Sequence, residues 1–164
     1  MFKKLSLELG GKNPVLVFAD CDFERMLSTT IHSSFRNQGQ ICLCGSRILI
    51  ERNIYSRFRH AFVERTKALR VGDPKDHASD LGAVVSKDHM EKVLSYVALA
   101  KEEGGEVLCG GKQVRLDGAL AGGWYLEPTV IEGLGPACRT NQEEIFGPVV
   151  TLEPFDNEEH ALAL

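Results

Sequence analysis

The stretch FRNQGQIC, residues 35–42, places a single thiol, Cys42, at the end of a polar loop that contains a glycine. A helical pattern precedes the loop, over residues 23–37, and Gly39 is placed to end that helix. A strand pattern, residues 46–51, follows closely. The thiolate of a cysteine in an open loop is a strong nucleophile toward carbonyl carbon. The stretch therefore predicts a candidate nucleophile between a helix and a strand.

Strand and helix patterns alternate on both sides of this loop. Upstream, residues 4–9 alternate polar and apolar side chains and predict a half-buried strand, and the apolar run of residues 14–18 predicts a buried one. Asp20 or Asp22 can cap the helix that follows. Downstream the patterns predict helices over residues 53–69 (capped by Asn53) and 87–104, strands over residues 106–109, 125–131 and 149–153, an exposed loop over 112–123, and a helix beginning near residue 158. This alternation predicts an α/β fold with a parallel sheet and flanking helices.

Composition limits the class of protein. Of the 164 residues 43% are hydrophobic, enough for a core, and the net charge of −4 is spread along the chain. A nucleic-acid or anionic-membrane surface would need a basic patch, so neither partner is expected. No apolar run approaches the length of a membrane span, and the first residues lack signal-peptide features. The five cysteines therefore predict reduced thiols and a cytoplasmic location.

The residues that could carry chemistry each have a simpler alternative. A lone cysteine is more often an inert packed thiol, and Cys42 with Cys44 gives a C-x-C spacing without a second ligand pair, so no metal site is expected. Glu8, before two glycines, is by itself a solvated strand-end carboxylate. Glu144, in a pair of glutamates, is by itself part of a charged strand entry.

Three segments together are similar to the aldehyde dehydrogenase superfamily: ELGGK (residues 8–12), the loop of residues 35–42, and EEIFGP (residues 143–148). The resemblance implies that Cys42 is the nucleophile and Glu8 the base that activates the deacylating water. It implies NAD as the cofactor, with NADP as an alternative. The residues that it places on this cofactor are Leu9 through its backbone carbonyl, Glu144 on the ribose hydroxyls, Phe146 beside the ribose, and His89 and Lys92 as accessory contacts.

The resemblance also implies what surrounds this chain. Complete family members are much longer and homo-oligomeric, so residues 1–164 are expected to form a partial catalytic domain. The Rossmann-type cofactor domain, the oligomerisation strand and the upstream asparagine of the oxyanion hole are expected to lie outside it, since neither Asn13 nor Asn37 occupies that position. The form QICLC, residues 40–44, resembles the muconic-semialdehyde branch and implies an unsaturated semialdehyde as substrate.

The expected reaction in the full-length context is oxidation of an aldehyde to a carboxylic acid. Cys42 would form a thiohemiacetal, hydride transfer to NAD(P)⁺ would leave a thioester, and Glu8 would activate water to release the acid. Two alternatives remain at this point. The chain could act as a cofactor-independent esterase, because acyl transfer needs only a thiol, an oxyanion donor and water. It could also be a non-catalytic module that binds partners through exposed apolar faces.

Overall fold

A mixed five-stranded sheet flanked by helices forms the frame of the computed structural model, which describes residues 2–164. The strands are β1 (Asn13–Val17), β2 (Gly45–Glu51), β3 (Glu106–Cys109), β4 (Gln113–Val114), β5 (Tyr125–Leu126), β6 (Thr129–Glu132) and β7 (Val149–Phe155). The helices are α1 (Phe23–Phe35), α2 (Arg52–Lys67), α3 (Lys87–Glu102), α4 (Arg139–Gln142) and α5 (Glu158–Ala163). Two 3₁₀ turns cover Arg36–Gly39 and Gly118–Leu120. Within residues 2–164, every helix is too short or too polar to cross a membrane.

The strand order in the large sheet is β1-β2-β7-β6-β3, and β4 pairs with β5 in a separate ribbon. The first three of these neighbouring pairs are parallel, as predicted, whereas β3 runs antiparallel to β6. The prediction of parallel pairing was therefore wrong at this edge. An antiparallel edge strand on an otherwise parallel sheet is a common arrangement, because an edge strand pairs on one side only.

The two faces of the sheet carry different helices. Ile48 and Ile50 on β2 are fully buried in a cluster with Phe58 and Phe62 of α2, whose rings stack with centroids 5.1 Å apart. Leu49, between them, joins a separate cluster. This alternation follows from the two-residue period of a strand. In a third cluster, the apolar side of α3 packs against residues of β6 and β7. Both helix layers therefore pack on the same strands.

The helix starts agree with the sequence at two places and differ at one. Asp22 caps α1, accepting from the Arg25 N–H at 3.1 Å, and Ser86 caps α3, accepting from the His89 N–H at 3.1 Å. Asn53 does not cap α2: the helix begins one residue earlier, and the Asn53 amide donates instead to the Glu51 carboxylate. That prediction was wrong because the side chain found an acceptor outside the helix.

The predicted strand at residues 4–9 is absent. These residues are irregular and exposed, and Leu5, Leu7 and Leu9 each keep more than 70% of their surface in contact with solvent. An alternating pattern gives a strand only when a neighbouring strand supplies hydrogen bonds and a surface to cover. Within residues 2–164 no strand lies beside this segment.

Two further boundaries differ from prediction between residues 112 and 131. The single strand expected over residues 125–131 is divided into β5 and β6, which lie in different sheets. Pro128 falls at the break, where a residue without an N–H cannot continue a ladder. The loop expected over residues 112–123 contains β4 and a 3₁₀ turn.

Candidate functional site

The loop that carries Cys42 begins with a left-handed run. After α1 ends, Asn37 and Gln38 have φ values of 50° and 58°, and Gly39 follows at 69°. Within residues 2–164 one further non-glycine residue has a positive φ, Phe146 at 61°. Such conformations are costly for residues with a Cβ and concentrate at functional sites. All three strained residues lie in the two loops that the sequence singled out.

These two loops are packed directly on each other. A Cβ atom on Gly39 would lie 2.2 Å from the carbonyl oxygen of Gly147, and a Cβ on Gly147 would lie 2.5 Å from a methyl of Val93 on α3. Glycine is therefore required at position 39 by the contact with the second loop, and at position 147 by the packing of that loop on α3. A narrow cleft between the loops is lined by Gly11, Ser34, Gly39, Ile41, Cys44, Ser46, Glu144, Ile145, Phe146, Gly147 and Val149.

Cys42 lies half-buried in a tight turn. The Cys44 N–H donates to the Ile41 carbonyl at 2.9 Å and closes this turn. The side-chain amide of Asn13 donates to the carbonyl of Cys42 at 2.6 Å and to that of Cys44 at 3.2 Å. The Cys42 N–H makes no hydrogen bond to another group within residues 2–164.

Cys44, two residues on, is buried, and that burial raises the pKa of its thiol. A raised pKa lowers the thiolate fraction, and burial blocks approach, so Cys42 is the better candidate nucleophile of the two. No group of His, Cys, Asp or Glu side chains within the described part of the chain is arranged to hold a metal ion.

Glu144 is held against the glycines that follow Glu8. Its Oε1 accepts from the Gly11 N–H at 3.1 Å, and a Cβ on Gly10 would lie 2.3 Å from the same oxygen. The Lys92 ammonium donates to the Glu144 carbonyl at 3.2 Å. The second carboxylate oxygen, Oε2, makes no hydrogen bond within residues 2–164, so the half-buried side chain retains a free acceptor.

Phe146 and His89 form the outer edge of the site. The Nε2 of His89 hydrogen-bonds the Phe146 carbonyl at 2.6 Å, and their rings meet edge to face with centroids 6.3 Å apart. Phe146 keeps 36% of its surface exposed, which is high for a large apolar side chain. The structure thus brings Glu144, Phe146, His89 and Lys92 together beside the Cys42 loop.

Glu8 and Leu9 are not brought into this group. Both are exposed, and the Glu8 carboxylate makes no hydrogen bond to any residue within 2–164. Gly11, three residues later, is attached to Glu144. Since an extended chain spans about 3.5 Å per residue, the Cα atom of Glu8 lies within about 11 Å of that attachment. Glu8 is therefore near the site but not part of its contacts.

Three residues of this region were not expected from the sequence. Asn13 holds the Cys42 turn, and Gln40 accepts from the Val85 N–H at 3.0 Å, joining the loop before α3 to the Cys42 loop. Lys12 has a buried ammonium without a partner within the described residues. Burial foremost, and then the charge of Arg47, lowers its pKa to about 8. An amide directly before Pro14 was the one sequence signal for Asn13.

Comparison with known proteins places this arrangement in a family. The profile of the aldehyde dehydrogenase family matches residues 1–164. The 2-aminomuconic semialdehyde dehydrogenase of Danio rerio is 49% identical over 98% of this chain and 34% of its own length. The 5-carboxymethyl-2-hydroxymuconate semialdehyde dehydrogenase of Escherichia coli is 47% identical over 99% of this chain and 35% of its own length.

Solved structures agree with these sequence matches. A betaine aldehyde dehydrogenase of Staphylococcus aureus, crystallised in complex with NAD⁺, superposes with a TM-score of 0.90 at 41% identity. The match covers 95% of this chain and 31% of the solved one. Both comparisons match an α/β domain that aldehyde dehydrogenases contain. The chain belongs to the aldehyde dehydrogenase family and spans about a third of the length of the curated relatives that it matches.

Proposed function

We propose that residues 1–164 form part of the catalytic domain of an enzyme that oxidises an aldehyde to a carboxylic acid with NAD⁺ or NADP⁺. The observation that carries this proposal is the contact between the Cys42 loop and the Glu144–Phe146 loop through Gly39 and Gly147. Both loops contain strained left-handed residues, and both belong to the segments in which the family resemblance is concentrated. Ile41, next to the candidate nucleophile, and the candidate cofactor-binding carboxylate of Glu144 thereby line one cleft.

The chemistry assigned to this chain begins at Cys42. The thiolate adds to the aldehyde carbon and forms a thiohemiacetal, while the Cys42 N–H, which lacks an internal acceptor, stabilises the oxygen that becomes negative. Loss of hydride from that carbon converts the adduct to a thioester. Glu8 then takes a proton from water, the water oxygen attacks the thioester, and the acid leaves as the thiol is restored.

The residues of the second loop fit the nicotinamide end of a dinucleotide. Glu144 has one carboxylate oxygen held by the Gly11 N–H and one free, and an ionised carboxylate suits the vicinal hydroxyls of a ribose. Phe146 offers an exposed ring beside it. We therefore assign Glu144 and Phe146 to the ribose, the Leu9 carbonyl to the nicotinamide amide, and His89 and Lys92 to positioning this loop. The cofactor, when bound, accepts the hydride.

The proposed substrate is an unsaturated semialdehyde. Support comes from the names of the relatives that are 46–49% identical over nearly the whole chain, most of which are semialdehyde dehydrogenases of the muconic type. We propose a cytoplasmic location, because all five cysteines are free, as in a reducing compartment. We also propose that the whole protein is homo-oligomeric, by analogy with its family.

A chimeric enzyme tests this function in a full-length context. Residues 1–164 would replace the matching third of the Danio rerio relative, and reduction of NAD⁺ would be followed at 340 nm with 2-aminomuconic semialdehyde. We expect turnover that Cys42→Ala abolishes and Cys44→Ala, the matched control, retains. A folded chimera that binds NAD⁺ without turning over, or a Cys42→Ala chimera that remains active, would refute the proposal.

A second activity is favoured by the free Cys42 N–H, because acyl transfer from an activated ester needs no cofactor. The 164-residue chain alone would then hydrolyse p-nitrophenyl acetate slowly. Equal rates for the unaltered chain and Cys42→Ala would eliminate this activity.

A further inference from the structure

Asn13 stands where the backbone pairing of β1 with β2 is interrupted. Asn13 lies opposite Gly45, but Pro14 lies opposite Arg47, so the register shifts by one residue between them. Proline has no N–H to give to the ladder, and a shift of this kind redirects a neighbouring side chain. The side chain of Asn13 accordingly meets the backbone of the Cys42 turn instead of solvent.

Both carboxamide hydrogens of Asn13 have acceptors in this turn. They go to the carbonyls of Cys42, at 2.6 Å, and Cys44, at 3.2 Å. Between these residues Leu43 is 80% exposed, so little packing holds the turn from outside. The other tie is the hydrogen bond from the Cys44 N–H to Ile41. The Cys44 thiol also donates a weak hydrogen bond to the Arg36 carbonyl at 4.0 Å. Asn13 therefore supplies two of the four hydrogen bonds that hold the turn within residues 2–164.

We infer that Asn13 is a positioning residue for Cys42, a role that rests on the proposed function of Cys42 as the nucleophile. By holding the Cys42 carbonyl, the Asn13 amide fixes the peptide plane on one side of the thiol and leaves the Cys42 N–H free for an oxyanion. Asn13 does not touch the reacting atoms, since both of its donors are occupied by backbone carbonyls.

The same residue connects the two candidate catalytic groups. Asn13 is five residues after Glu8, and Gly11 between them is attached to Glu144. The otherwise exposed segment that bears Glu8 is thus joined to the Cys42 loop by Asn13 and to the Glu144 loop by Gly11. A further attachment is the hydrogen bond that Arg47 donates to the Lys12 carbonyl at 3.3 Å. Loss of the Asn13 amide would release the Cys42 turn and the attachment that joins this turn to the Glu8 segment.

Thiol protection in the 164-residue chain measures this role. Iodoacetamide labelling would be followed by peptide mass spectrometry at Cys44, which is buried, and at Cys21, which follows the opposite end of β1 from Asn13 and reports on global folding. Asn13→Ala removes two hydrogen bonds, which corresponds to roughly 30-fold faster labelling of Cys44 if each has ordinary net strength. Asn53→Ala, which removes an exposed amide, is the matched control and should leave the Cys44 rate unchanged.

Asn13→Asp separates hydrogen bonding from packing, because it keeps the shape but presents an acceptor to two carbonyls at neutral pH. We expect Cys44 in this variant to lose protection at least as much as in Asn13→Ala, with Cys21 labelling unchanged. Wild-type protection of Cys44 in either variant would overturn the inference. A parallel rise in the labelling rate of Cys21 would show that Asn13→Ala unfolds. In that case the Cys44 labelling rates of Asn13→Asp and the unaltered chain decide whether Asn13 holds the turn.

The chimeric enzyme distinguishes this inference from the proposed function. There Asn13→Asp should lower kcat on the order of 10²-fold, the effect of a misplaced nucleophile, while KM for NAD⁺ stays unchanged. Unchanged kcat would overturn the positioning role. An unsubstituted chimera that is folded but inactive would refute the proposed function instead, and the labelling rates alone would then decide whether Asn13 positions Cys42.

Discussion

Replacing Gly39 with alanine should test whether the contact between the two loops holds the site together. The substitution adds a Cβ at a residue with φ of 69°, and that atom would lie 2.2 Å from the Gly147 oxygen and 2.5 Å from its carbonyl carbon. Both neighbours are backbone atoms, so no side-chain rotation can relieve the overlap. One of the two loops must move.

The magnitude has two parts. A left-handed conformation costs an L-residue roughly 1–2 kcal/mol, and forcing an extra group into a packed region typically costs a further 1–3 kcal/mol. Gly39→Ala should therefore lower the free energy of unfolding by about 2–5 kcal/mol, a large share of the stability of an ordinary domain. Gly118→Ala isolates the first part, because Gly118 has φ of 62° but no neighbour within 4 Å of its Cβ. Gly122→Ala, with open space and no positive φ, should be nearly neutral.

Urea unfolding of the three variants beside the unaltered chain gives the comparison, and iodoacetamide labelling of Cys42 reports the state of the loop. We expect a destabilisation in the order Gly39, Gly118, Gly122, and faster Cys42 labelling only in Gly39→Ala. A Gly39→Ala variant no less stable than Gly118→Ala would refute the steric argument and with it the required contact to Gly147.

Three further predictions concern charge and hydrogen bonding. Arg59 donates two hydrogen bonds to Glu132 and lowers the pKa of that carboxyl. The resulting stabilisation is complete above the unfolded pKa of about 4.3 and is lost as the pH falls through the lower pKa of the folded state. Glu132→Gln should lower the free energy of unfolding by about 1 kcal/mol at pH 7, and this free energy, measured by urea unfolding, should then fall less steeply at acid pH. The Lys12 pKa of about 8 lies below its ordinary value of 10.5, so the unfolded chain binds more protons than the folded chain between these two pH values. The free energy of unfolding should therefore rise with pH across that window by about 3 kcal/mol more in the unaltered chain than in Lys12→Met. Parallel curves of this free energy against pH for the two proteins would contradict the prediction. Gln40→Ala should speed hydrogen exchange of the Val85 amide about tenfold, and unchanged exchange would show that the bond contributes nothing in solution.

Local patterns in the sequence predicted most of the frame. The strand around Ile48 was recognisable because β2 lies inside the sheet and its central residues are buried, which leaves few residue choices. The apolar run before Phe18 does form a strand, but the burial expected for it was wrong, because β1 is an edge strand on which Leu16 is exposed. The direction of β3 was not predictable in the same way. Pairing depends on which strand a segment meets, and the antiparallel partner of β3 lies after a separate two-stranded ribbon. The strand predicted around Leu7 was wrong for the same reason, because an alternating pattern does not specify a partner strand.

The site divides in a similar way. Cys42, Glu144 and Phe146 could be proposed because their residue types and neighbours match a family pattern, and the structure places the last two in one cluster beside the Cys42 loop. Asn13 and Gln40 were missed because a carboxamide is common in loops, and its importance lies in which distant carbonyl or amide it reaches. Such a contact depends on tertiary structure and leaves little trace in local sequence.

Because β7 lies in the middle of the sheet, the cleft can form only after β7 has paired with its neighbours. Arg47 of β2 pairs with Thr151 of β7, so the strands that carry the two loops meet only by closing a segment of roughly a hundred residues. Topologies with such distant pairings fold slowly, because the entropy of loop closure is lost before the contacts form. A growing chain would expose the Cys42 turn long before residue 147 is synthesised. We therefore expect the cleft to assemble late, with the thiol open to oxidants and electrophiles until β7 is in place.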